Sequence, residues 1–112
     1  MTARLAVGAF GEEVAAGFLA SRGARVVGRN VRHGHREADL LVELDGERVI
    51  VEVKTMVSRL VDADPVDWLS AEKLAHLDRL RNAFGLPVPR LDFVGVTLAA
   101  DGVTVRWLPG IR

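Results

Sequence analysis

The chain has 112 residues, 49 % of them hydrophobic and 27 % charged, so we expect one globular domain over residues 1–112 and exclude two independent cores. It contains no cysteine, which excludes disulfides, thiolate metal sites and cysteine nucleophiles. The formal net charge is zero, so the charge sum gives no general attraction to nucleic acid. No apolar run approaches the ~20 residues of a membrane span, and a cytoplasmic protein is expected.

Positive charge is concentrated in one stretch of the chain. Between Val14 and Arg36 there is no acidic residue, while arginine recurs at positions 22, 25, 29, 32 and 36, with His33 and His35 beside the last two. Such a stretch is either a solvated surface or a phosphate-binding face, and the pattern alone favours neither.

The first predicted element is a helix from Thr2, a suitable N-cap, to Gly23, which occupies a C-terminal cap position. Its apolar residues recur every four positions, at Ala6, Phe10, Val14 and Phe18. Gly8, Gly11 and Gly17 each weaken the helix by roughly 1 kcal/mol relative to alanine. We therefore expect another element to pack closely against these glycines.

The remaining elements follow from turn and cap residues. Three strands are predicted over Arg25–Arg32, Glu37–Leu44 and Glu47–Thr55, with a tight Asp45-Gly46 turn between the last two. After an irregular loop from Met56 to Ala63, Asp64 and Pro65 are expected to open a second helix that ends at Gly85, and a hairpin follows over Arg90–Leu98 and Val103–Leu108. The predicted fold is α/β, in the order α-β-β-β-α-β-β, with a mixed sheet flanked by helices.

The tight turn fixes which side chains face each other. A turn centred between residues 45 and 46 pairs Asp39 with Glu52 and Glu37 with Lys54, and opposed side chains share one face of the sheet. Opposed carboxylates destabilise a hairpin unless a proton, an arginine or a divalent cation neutralises them. Oxygen ligands of this kind suit Mg²⁺, and a neighbouring lysine can serve an attacking water. The alternative is a salt-bridged cluster without chemistry.

Several motifs in this order resemble one family. They are Gly8-x-x-Gly11-Glu12-x-x-Ala15, Asn30-x-Arg32, Glu37-Ala38-Asp39-Leu40-Leu41 and Val51-Glu52-Val53-Lys54-Thr55, followed by Pro65, Lys73 and Arg90-x-Asp92. The chain resembles the YraN family, uncharacterised bacterial proteins placed among the restriction-endonuclease-like nucleases of the PD-(D/E)xK type. The resemblance covers essentially the whole chain and implies a three-layer core of the order predicted above.

The resemblance also implies roles for particular residues. Asp39, Glu52 and the Val53 carbonyl would hold Mg²⁺ or Mn²⁺, Lys54 would serve the attacking water, and Glu12 would reach the site as an extra acid, as in related Holliday-junction resolvases. Arg32, Arg36 and Lys73 are the candidate nucleic-acid-binding residues. Three positions depart from the expected pattern: Arg36 replaces a glycine of the family, Ala38 the proline of the wider superfamily, and Met56 an arginine that commonly follows the lysine-threonine pair. They bear on substrate binding more than on metal binding.

The expected function is hydrolysis of DNA phosphodiesters, with branched or damaged DNA as candidate substrates. The alternatives are a non-catalytic module that binds nucleic acid or a protein partner, and hydrolysis of RNA or a small phosphodiester. A domain this small cannot surround a duplex, so a homodimer or an accessory protein is expected. Outside the site, Trp68 and Trp107 are interpreted as packing residues, and Asp92 as a structural residue that meets Arg90 or a helix end.

Overall fold

The fold is a five-stranded sheet with one helix on each face. The computed structural model describes residues 3–59, 64–85 and 89–112. Its elements are α1 (Ala3–Ser21), β1 (Arg25–His33), β2 (Arg36–Leu44), β3 (Glu47–Val57), a 3₁₀ helix (Pro65–Trp68), α2 (Ala71–Ala83), β4 (Arg90–Ala99) and β5 (Gly102–Leu108). The predicted α/β class and the order α-β-β-β-α-β-β are confirmed, and this order is that of a restriction-endonuclease-like core.

The strands lie in the sheet in the order in which they occur in the chain, β1 to β5. Only β3 and β4 run parallel, because α2 and the 3₁₀ helix connect them; every other neighbouring pair is antiparallel. The central strand β3 carries Val49, Ile50 and Val51, all 0 % exposed. A continuous apolar run of this kind is typical of a strand that is covered on both faces.

Each face of the sheet has its own core. On one face, Ala15, Ala16 and Leu19 of α1 pack against strand residues that include Leu40 and Val51. On the other face, Leu77 and Leu80 of α2 pack with Ala38, Leu41 and Ile50. The result is three layers, helix, sheet and helix. Within the described residues, no helix combines the length and the apolar character needed to cross a membrane.

The close approach predicted for α1 occurs at one of its three glycines. A Cβ atom added at Gly11 would lie 1.7 Å from Thr55 Oγ1, so only glycine allows α1 to lie this close to β3. A Cβ at Gly8 or Gly17 would meet nothing within 4 Å, and for these two positions the prediction of close packing is wrong.

The predicted second helix is divided in two. Asp64 accepts a hydrogen bond from Val66 N at 3.0 Å, but the helix that it caps is the short 3₁₀ helix. Ser70 then caps α2 by accepting from Lys73 N at 3.2 Å. Ser70, a second N-cap inside the single helix predicted from Asp64 to Gly85, thus begins a separate helix. The predicted cap Thr2 lies outside the described residues. Of the predicted Met56–Ala63 loop, Met56 and Val57 belong to β3, and residues 60–63 lie outside the described residues.

Candidate active site

The β2–β3 hairpin has the predicted register only next to its turn. Leu44 pairs with Glu47, and the ladder continues to Leu40 opposite Val51. The predicted pairs of Asp39 with Glu52 and of Glu37 with Lys54 are wrong as backbone partners, since the ladder ends before them. In their place, the Asp39 side chain accepts a hydrogen bond from Val53 N at 2.8 Å.

The backbone is irregular at this point on the neighbouring strand too. Asn30 lies between Arg29, which pairs with Leu40, and Val31, which pairs with Ala38, so it is opposite Asp39. Its φ is +50°, in the left-handed region that asparagine tolerates better than most residues. Ala38 and Leu40 pack into the cores of opposite faces, although residues two apart in a regular strand share a face. Strand β2 therefore changes face at Asp39, directly opposite the left-handed Asn30.

Three carboxyl groups meet where the ladder ends. Asp39 lies within hydrogen-bonding reach of both Glu52 from β3 and Glu12 from α1. Burial raises the pKa of Glu52 to about 9, and repulsion from Asp39 adds to this effect. Burial also raises the pKa of Asp39 and of Glu12, although the Val53 N–H opposes the rise at Asp39. The carboxyl group of Glu52 therefore carries a proton at neutral pH unless a bound cation replaces that proton.

Lys54 does not neutralise these acids. Its ammonium lies over the Trp68 ring, 5.3 Å from the ring centroid, and Lys73 lies over the same ring at 5.0 Å. Trp68 in turn stacks on Phe93 with centroids 6.0 Å apart. Within the described residues neither lysine has an ion-pair partner closer than 4.0 Å. Trp68 is the packing residue that was predicted, but its role in holding two lysines was not anticipated.

The donor set of the cluster fits a hard divalent cation. Mg²⁺ commonly takes one or two carboxylates and completes its shell with water. Asp39 and Glu52 supply two carboxylates that lie close together and partly buried. No three His, Asp or Glu side chains among the described residues form a ready metal cage. A cation bound here would therefore rely on water or substrate oxygens for most of its shell.

The predicted nucleic-acid contacts are dispersed. Arg32 forms an ion pair with Glu37 at 3.1 Å, and Arg36 Nη1 lies 3.3 Å from His76 Nδ1. Other arginines of the basic stretch are paired as well, Arg25 with Glu43 at 2.7 Å and Arg29 with Glu13. Lys73 alone among the three predicted contacts lies next to Lys54 on Trp68.

Asp92 has the predicted structural role, and of its two predicted partners it meets Arg90. It is 1 % exposed and accepts hydrogen bonds from Arg90 Nε at 2.9 Å, Trp107 Nε1 at 3.0 Å and Gly110 N at 2.8 Å. The Trp107 ring also meets Phe18 edge-on at 6.1 Å, which confirms its packing role. This network fixes β4, β5 and the C-terminus to one another.

Comparison with known proteins identifies the family. The model of the uncharacterised protein family UPF0102 matches residues 11–96. A UPF0102 protein of Arthrobacter sp. (strain FB24) is 43 % identical over 103 residues, 86 % of this chain and 86 % of that protein. A second, of Paenarthrobacter aurescens (strain TC1), is 39 % identical over 117 residues, 100 % of this chain and 95 % of that protein.

Among solved structures, SfsA of Pyrococcus furiosus in complex with Ca²⁺ is similar at a TM-score of 0.42 and 19 % identity, over 97 % of this chain and 64 % of that chain. The sequence relatives are the decisive finding, because they span nearly the whole chain. The chain belongs to the uncharacterised protein family UPF0102, the YraN family that its motifs predicted.

Proposed function

We propose that this chain is a divalent-metal-dependent nuclease that hydrolyses DNA phosphodiesters, with branched or damaged DNA as candidate substrates. One observation carries the proposal: Asp39, Glu52 and Glu12 converge in a partly buried position, where Arg29 offsets part of the charge of Glu12 and no ion pair of the described residues includes Asp39 or Glu52. Carboxyl groups held together in this way destabilise the fold when ionised, and perturbed groups of this kind cluster at functional sites.

Each residue has a defined part in the proposal. Asp39 and Glu52 hold Mg²⁺ or Mn²⁺, with the Val53 carbonyl as the expected further ligand. When bound, the cation would stabilise negative charge on a phosphate oxygen. The Val53 N–H holds one Asp39 oxygen in place, and Glu12 takes or holds a proton beside the pair. Lys54, one residue from Val53 along β3, orients the attacking water or the phosphate.

A second candidate function is a non-catalytic module that binds nucleic acid. It is favoured by the position of the Lys54 ammonium, which lies over Trp68 rather than beside the carboxyl groups. In this case Lys54 and Lys73 would contact phosphates, and Glu52 would keep its proton. The two functions differ in whether a cation binds to the free protein.

The first test is thermal unfolding with and without Mn²⁺ or Mg²⁺. A ligand at 100 times its Kd adds about 2.7 kcal/mol, which shifts the midpoint of a domain of this size by several degrees. We expect this shift in the wild type and its loss in Asp39→Asn and in Glu52→Gln, because each variant removes one ionisable ligand. Glu72→Gln, which removes an exposed acid at the start of α2, is the matched control and keeps the shift.

Cleavage then separates the two functions. Branched DNA incubated with the wild type and Mn²⁺ should be cut, whereas Lys54→Ala should bind the cation without cutting. If no cation stabilises the wild type, and Glu52→Gln is more stable than the wild type, the nuclease proposal is refuted for the free protein and the binding module becomes the better explanation.

A further inference from the structure

A cavity of about 430 Å³ lies beside the carboxyl cluster, between the first half of α1 and the end of β3. Its volume is within the range of small-molecule sites, roughly 300–1,000 Å³. Glu12 lines the cavity and also reaches Asp39, and Val53 lines it and also donates to Asp39. A group bound in the cavity therefore lies directly next to the proposed metal position.

The cavity exists because β3 is longer than its pairing with β2. That pairing ends at Val51, whereas β3 continues to Val57 beside β4. Within the described residues, the last part of β3 thus has no partner strand on this edge; the Val53 N–H already donates to Asp39, and the backbone groups beyond Val53 can bond a ligand. Val57 is 69 % exposed at the end of this edge, so the cavity is accessible from solvent.

The lining combines apolar walls with polar groups. Val7, Val53 and Val57 supply the apolar surface, and Thr55 supplies a hydroxyl. Arg4 supplies a guanidinium that has no ion-pair partner among the described residues. A ligand that matches this lining has apolar faces, hydrogen-bonding edges and a negative charge.

We propose that this cavity binds one unpaired nucleotide of a DNA strand, adjacent to the phosphate at the carboxyl cluster. A nucleotide has the required apolar faces, polar edges and phosphate, and the cavity is too small for a base pair with both backbones. The inference rests on the proposed function, which it makes more specific: the substrate has an unpaired nucleotide next to the cut, as at a branch or an end. Arg4 contacts the phosphate of that nucleotide.

Gly8 gives a direct test, because it lines the cavity and a Cβ there would meet no atom within 4 Å. Leucine at this position would fill the cavity without disturbing the core. Gly17 is the matched control, since a Cβ there is equally free and Gly17 does not line the cavity. Both substitutions remove a helix glycine, so both raise helix stability alike.

The measurement is fluorescence anisotropy of a short labelled single-stranded oligodeoxynucleotide and of the blunt duplex of the same sequence, in EDTA at fixed salt. We expect Gly8→Leu to weaken binding of the single strand by about tenfold or more and to leave duplex binding unchanged. Gly17→Leu should bind both as the wild type does. Arg4→Gln, an exposed change, should also weaken binding of the single strand.

The inference is overturned if the wild type does not bind the single strand, if Gly8→Leu binds it as the wild type does, or if both leucine variants weaken binding equally. Because EDTA removes the cation, this test is independent of catalysis. A failed metal shift with selective loss in Gly8→Leu would refute the nuclease and keep the nucleotide site. An intact metal shift with unchanged binding in Gly8→Leu would keep the nuclease proposal and refute the nucleotide site.

Discussion

At the scale of single residues, Glu52 governs how stability depends on pH. Burial raises its pKa from 4.5 to about 9, so between these values the folded chain holds a proton that the unfolded chain has released. The stabilisation that this proton provides is complete below pH 4.5, the pKa of Glu52 in the unfolded chain. It is lost as the pH rises through about 9, the pKa of Glu52 in the folded chain. Without metal, the free energy of unfolding should fall by up to about 1.4 kcal/mol per pH unit in this range.

Glu52→Gln provides the check on this prediction, because its amide stays neutral. Urea unfolding in EDTA between about pH 5 and pH 9 should show a flatter profile for the variant than for the wild type. Saturating Mn²⁺ should remove the difference in slope, since metal binding replaces the proton. Parallel profiles for the two proteins would show that Glu52 is ionised in the fold.

Asp92→Asn should lower stability through the ion pair with Arg90. The substitution removes the buried charge that faces Arg90, whose side chain is 24 % exposed and keeps Glu47 as a carboxylate partner at 2.9 Å. Breaking a buried pair from one side costs roughly 3–5 kcal/mol, and because Glu47 still neutralises Arg90 we expect a loss at or below the lower end of this range. Urea unfolding at neutral pH measures the loss. Asp101→Asn, an exposed change in the β4–β5 turn, is the control and should stay within about 0.5 kcal/mol of the wild type.

At the scale of elements, Gly11 fixes the distance between α1 and β3. Gly11→Ala places a Cβ against Thr55 and should destabilise the protein by roughly 1–3 kcal/mol, the usual cost of overpacking. Gly17→Ala, in open space on the same helix, should stabilise it by roughly 0.5–1 kcal/mol. Thermal unfolding distinguishes these signs, and equal effects of the two substitutions would mean that α1 does not need the close contact.

Features of these elements that neighbouring residues determine could be predicted from the sequence, whereas features that depend on distant contacts could not. The Asp45-Gly46 turn determines the register of its neighbours, so Leu40 to Leu44 pair as predicted. The turn does not determine the contacts of Asp39, because its side chain accepts from the N–H of Val53 where the regular ladder would pair the two backbones. The break before α2 depends on Ser70, an N-cap that lies inside the single helix predicted from Asp64 to Gly85.

The position of the Lys54 side chain depends on contacts still further apart in the sequence. A Cβ at Gly95 would lie 2.3 Å from Pro65, so glycine there lets the 3₁₀ helix lie against β4 and brings Trp68 onto Phe93. Lys54 then extends over Trp68 instead of toward Glu37. The spacing of Asp39, Glu52 and Lys54 therefore predicted which residues gather at the site, but not which of them touch.

At the scale of the whole molecule, the pairing of arginines limits how strongly the protein can attract DNA. The net charge is zero, and Arg25, Arg29 and Arg32 each face a carboxylate. Three basic groups near the site, Arg4, Lys54 and Lys73, have no ion pair within the described residues and lie beside the cavity or over Trp68. Each phosphate contact contributes about −0.9 to the slope of log Kobs against log salt concentration, so three contacts predict a slope of about −3.

This slope separates two ways in which a neutral protein can bind DNA. If Lys54 and Lys73 each contact a phosphate, the double variant Lys54→Gln/Lys73→Gln should lower the slope by about 2, whereas Arg25→Gln should leave it unchanged. Anisotropy of a labelled branched duplex over a series of salt concentrations measures both. A wild-type slope steeper than about −6, unaffected by the double variant, would instead mean that the β1 arginines leave their carboxylates to bind DNA. That exchange would break only the exposed side-chain ion pairs with Glu43, Glu13 and Glu37, so it would cost little stability, since the backbone ladder holds β1 to β2 and the apolar core holds α1 to the sheet.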